Sequence, residues 1–135
     1  MLAKKRMEEL EKKLLLEIKG LLSELEREPT KTCQLIGKQV YKDSPSGDMY
    51  CVNAQLILGK IVQLKNECKP DYIDDALIST LRWTFDNKVS CVKNATIKPK
   101  ATNKWRSKLK SYMYDATQYL KRDIYNVIDK INKLK

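Results

Sequence analysis

The C-terminal stretch of this chain leaves little choice of local structure. Leu109, Met113, Ala116, Leu120, Ile124, Val127, Ile131 and Leu134 step by 4, 3, 4, 4, 3, 4 and 3 residues. That spacing returns each apolar side chain to one stripe of an α-helix, and would scatter them over both faces of a strand. Thr102 or Asn103 can cap the start, so a helix is expected over 102–134. Met113, Leu120, Val127 and Leu134 repeat every seven residues, close to a coiled-coil seam. Unbroken, such a helix reaches about 48 Å and outruns its neighbours.

Three more stripes precede it. Leu2, Met7, Leu10, Leu14, Ile18, Leu21 and Leu25 predict a helix over 2–27, ended by the restriction Pro29 places on Glu28. Tyr50, Ala54, Ile57, Ile61 and Leu64 predict a second over 48–68. Ile73, Ala76, Leu77, Leu81 and Phe85 predict a third over 71–86, with Asp71, Asp74 and Asp75 supplying negative charge to its first turn. The intervals 29–47 and 87–101 read as irregular connections. Only four Gly and four Pro are present, too few for a turn-rich β-sandwich. The expected architecture is therefore one all-α domain over 1–135, a four-helix bundle with a long C-terminal helix.

The charge is unevenly placed. Residues 1–87 hold 14 basic and 14 acidic side chains, whereas 88–135 hold 13 basic and three acidic, so the whole net charge of +10 lies in the C-terminal part. Such polarity points to an acidic partner: nucleic acid, an anionic membrane or an acidic protein face. The densest cluster comprises Lys98, Lys100, Lys104, Arg106, Lys108 and Lys110, with Trp105 among them. Lys104–Lys108 and Arg106–Lys110 are like-charge neighbours one turn apart, near a helix N-terminus that itself disfavours cations. A bound anion such as phosphate would offset both penalties. The competing reading is a solvated basic face with Trp105 turned inward.

Tyr112, Tyr119 and Tyr125 flank the last helix beside its main stripe, and with Ile128 they form a candidate surface for self-association. Cys33, Cys51, Cys68 and Cys91 lie too far apart for a metal site, which favours close pairs, so no metal is expected. They are candidate disulfide cysteines, with three connectivities open, or buried small apolar residues. Without histidine, and with no phosphate loop, dinucleotide fingerprint or nucleophile elbow, the chain reads as non-enzymatic and free of cofactors. No apolar run spans a bilayer, and no signal-peptide pattern opens the chain.

Lys, Ile, Asn and Tyr abound in YIDDALISTLRWTFDNK and YLKRDIYNVIDKINKLK, and the first helix, KKRMEELEKKLLLEIKGLLSELE, is rich in Lys and Glu. In size, helix layout and residue texture the chain resembles the α-helical major structural (coat) proteins of tailed spindle-shaped archaeal viruses. The resemblance implies a self-assembling coat or tail subunit, in the virion or host cytoplasm, whose basic half faces packaged nucleic acid. It carries no diagnostic motif, so no residue roles transfer. Two alternatives stay open. One is a secreted, disulfide-bearing, cytokine-like four-helix ligand, for which Asn94-Ala95-Thr96 is a glycosylation sequon. The other is a small protein that binds DNA without sequence preference.

Overall fold

The structure is a computed structural model that describes residues 2–31, 47–97 and 102–134. All its regular structure is helical, in five continuous helical segments, with no strand among the described residues. Helix α1 spans Leu2–Lys31, α2 Gly47–Gln63, α3 Asp75–Thr84, α4 Ser90–Ile97, α5 Asn103–Asp123 and α6 Tyr125–Asn132. A π-turn over Leu64–Cys68 prolongs α2, and another over Phe85–Val89 joins α3 to α4 in one rod.

Each stripe becomes core. Leu14, Leu15, Ile18, Leu22 and Leu25 of α1 pack with Tyr50, Ala54, Ile57, Ile61 and Leu64 from α2 and its π-turn. Leu109, Met113, Ala116 and Leu120 of α5 complete the same cluster, and Ile124, Val127 and Ile131 extend it. Helix α1 lies against α2, α5 and α6, while the α3–α4 rod lies along α5. Buried hydrogen bonds fix the pairing. The Tyr50 hydroxyl donates to the Met113 carbonyl at 3.1 Å and lies 2.7 Å from the Thr117 hydroxyl, tying α2 to α5. Burial pushes the Tyr50 hydroxyl far above its ordinary range, so it remains a neutral hydrogen-bonding group.

Four boundaries differ from the sequence expectation. Helix α1 runs through Pro29, which costs one hydrogen bond in the last turn, and both Glu28 and Pro29 are buried there. The third helix starts at Asp75 rather than 71, because Asp74 is its cap: Asp74 Oδ1 accepts from the Leu77 amide at 2.8 Å. Residues 87–97, expected as connection, are helical to Ile97. The buried residues of the whole α3–α4 rod run Leu77, Leu81, Thr84, Val89 and Val92, and the five-residue step at Val89 is the one a π-turn accommodates. The long last helix is divided at Ile124, whose φ of −105° and ψ of 27° leave the helical range. The break follows Asp123, whose carboxylate is drawn under the Thr84 hydroxyl.

Candidate nucleic-acid interface

Helix α5 starts at Thr102, whose hydroxyl accepts from the Trp105 amide at 3.0 Å. That cap fixes the register of three aromatics seven residues apart: Trp105, Tyr112 and Tyr119. Seven residues are nearly two turns, so the three rings share one flank, about 21 Å from first to last. The flank faces the α3–α4 rod. Trp105 is anchored there, its Nε1 donating to the Ala95 carbonyl at 3.1 Å.

Cations lie over these rings. Lys108 Nζ is 5.8 Å from the centre of the Tyr112 ring. Tyr119 has Lys88 Nζ and the Arg122 guanidinium each at 4.4 Å, and the Trp83 ring beside it at 6.1 Å and 41°. A cation over an aromatic face is attracted by the ring quadrupole, which holds these charges at the surface in fixed positions. Lys88 also reaches Asp115 at 3.3 Å, and that hydrogen bond, with its partner's charge, raises the lysine above its ordinary range. At the other end an open groove of about 740 Å³ is lined by Cys91, Asn94, Thr102, Lys104, Trp105, Lys108 and Tyr112.

The expected cationic cluster is thus divided. Lys104 and Lys108 line the groove, and Trp105 forms its wall. Lys110 sits apart, 5.7 Å from the Tyr114 ring. Arg106 does not belong to an exposed patch: it is only 7% exposed, one turn before Leu109 on the inward stripe. Lys98 and Lys100 lie outside the described residues. Tyr112 and Tyr119, expected as a self-association flank with Tyr125 and Ile128, are half-buried toward the α3–α4 rod, whereas Tyr125 is 67% exposed beyond the break at Ile124. Ile128 is half-buried against the core.

Trp83, Lys88, Asn94 and Arg122 were not legible as site residues. The heptad spacing of Trp105, Tyr112 and Tyr119 could have marked the flank, but only the helical course of 85–97 brings Lys88 and Asn94 to it. Cys51, Cys68 and Cys91 are free and half-buried, and Cys33 lies outside the described residues, so no disulfide joins the described cysteines. Burial pushes the Cys51 and Cys68 thiols up, away from the reactive thiolate. No group of side chains able to hold a metal occurs among the described residues, and no described helix is long and apolar enough to cross a membrane. No family model, curated protein or solved structure matches this chain.

Proposed function

We propose that the protein is a non-enzymatic subunit that binds nucleic acid without sequence preference, through the flank of α5 that faces the α3–α4 rod. One observation carries this reading: three aromatics at heptad spacing, two of them with cations over their rings, run out of a groove to which Lys104 adds a further cation. Lys and Arg track a phosphate backbone, while half-exposed rings such as Trp83 accept unpaired bases by stacking. Nothing in the arrangement selects one base over another. The free thiols remove one support from the secreted-ligand alternative, which relied on disulfides.

The test is fluorescence anisotropy with labelled oligothymidylate and with a duplex of the same length, titrated at several salt concentrations. Binding that weakens steeply with salt and favours the single strand is the expected result. Binding that ignores salt would refute the reading.

A second reading keeps self-assembly, as the coat-protein resemblance implies. Its support is a different surface, the outer face of α2, where Asp48 is the one charged residue. In this reading the segments 2–31, 47–68, 75–97 and 103–132 act as a four-helix bundle, with α6 packed on α1 as α5 is, and pack as subunits around the bound genome.

A further inference from the structure

Helix α2 is short of charge. Its 17 residues, GDMYCVNAQLILGKIVQ, include only Asp48 and Lys60, in a chain of which 33% is charged. Lys60 is turned to α1, with its Nζ 2.6 Å from Glu17 Oε2. The outward face therefore consists of Asp48, Met49, Val52, Gln55, Leu56, Gly59 and Gln63. Met49, Val52 and Leu56 are 49%, 51% and 47% exposed. A helix that is apolar on its outer face as well as its inner one is ordinarily covered on both. Beside it, Val52 and Leu56 border a groove of about 800 Å³ between α2 and the α3–α4 rod, with Phe85 and Val89 in its wall.

Gly59 adds an independent observation. A glycine inside a helix destabilises it relative to alanine. Among the described residues a Cβ at Gly59 would meet nothing within 4 Å, so none of them requires a glycine there. Close approach from outside would.

We infer that this face docks against the same face of a second copy of the chain, with the two α2 helices antiparallel about a two-fold axis between Gln55 and Leu56. This rests on the self-assembly reading and names its surface. Two-fold symmetry demands that the face complement itself, residue i meeting j and j meeting i. An axis there opposes Val52 to the partner's Gly59, a branched side chain against an empty position. The same axis sets Gln55 against the partner's Leu56 and Asp48 against the partner's Gln63. Charge points to the same occupant. Two copies that each carry +10 repel, and the outward residues of α2 bring no lysine to the contact. The face is only about 26 Å long, which sets the pair at the weak, concentration-dependent end of protein interfaces.

Sedimentation of nuclease-treated protein, from about 1 to about 200 µM to bracket micromolar affinity, tests this directly. Wild type should pass from monomer to dimer across that range. Leu56→Glu and Gly59→Leu should weaken the pairing at least about tenfold while helical circular dichroism is unchanged. Under mild oxidation Gln55→Cys should give a covalent dimer, and wild type and Gln63→Cys should not. A wild type that stays monomeric throughout would overturn both this inference and the self-assembly reading. Assembly unaffected by Leu56→Glu and Gly59→Leu would overturn this inference alone. Monomers that bind neutral phosphatidylcholine vesicles through the same residues would assign the face to a lipid surface and also overturn it.

Discussion

The outer face of α2 and the aromatic flank of α5 both reach the surface, yet they are built from opposite materials. The α2 face is apolar and nearly uncharged, with an open position at Gly59. The α5 flank carries its rings half-buried, with ammonium or guanidinium groups over Tyr112 and Tyr119. An apolar surface gains most by excluding water, and therefore favours another apolar surface. Fixed cations gain most by displacing counterions from a polyanion. One small helical body thus presents two surfaces suited to different partners, and the +10 charge need not oppose self-contact because it is concentrated elsewhere.

The largest expected effect separates the two surfaces outright. Replacing Lys88, Lys104, Lys108 and Arg122 together by Ser should reduce single-strand affinity by about 10²-fold or more and flatten the log–log salt slope by about 3. Leu56→Glu should leave that slope unchanged. Anisotropy titrations of both variants check this, and equal losses would erase the distinction.

Trp83→Ala should cost about 1–3 kcal/mol of single-strand binding, the usual loss for one stacking platform, without altering the salt slope. Because Trp83 is half exposed, the fold should survive the change. Tyr50→Phe examines the strut between the two surfaces. It removes the buried hydroxyl that bonds the Met113 carbonyl and the Thr117 hydroxyl, while Thr117 keeps its own bond to that carbonyl, so thermal or urea unfolding should show a loss of about 0.5–1.5 kcal/mol. Gly59→Ala is expected to act in two directions: monomer stability rises by about 0.5–1 kcal/mol, while self-association weakens.

The smallest effect concerns pH. Asp123 is held above its ordinary range, chiefly by burial and against the Thr84 hydrogen bond, which lowers it. Its Oδ1 makes no hydrogen bond and has Arg122 at 3.7 Å. The native state then keeps a proton that the unfolded chain releases near pH 3.9. Stability should fall as pH rises from there through the native value, and level off above it. Asp123→Asn should flatten that part of a melting-temperature profile.

The stripes on α1, α2 and α5 were legible because each keeps a 3.6-residue period over several turns. The course of 87–97 was not. The π-turn at Phe85–Val89 shifts the inward positions by one, and Lys88 and Lys93 disguise the segment as a loop. Asp123 carries no local signal that a helix divides after it, since the apolar stripe runs through Ile124 undisturbed. The site was half legible. Lys104, Trp105 and Lys108 came from charge density alone, but that same density drew in Arg106, which helical phase places on the buried side. Trp83 and Arg122 join the site only through packing between elements far apart in sequence.

Ultraviolet crosslinking of oligothymidylate to the protein, with adducts located by mass spectrometry, tests the central claim most directly. Adducts should fall on Trp83, Trp105, Tyr112 and Tyr119, and should fade as salt rises. Adducts confined to Tyr72 and Tyr125, or spread evenly over all aromatics, would contradict it.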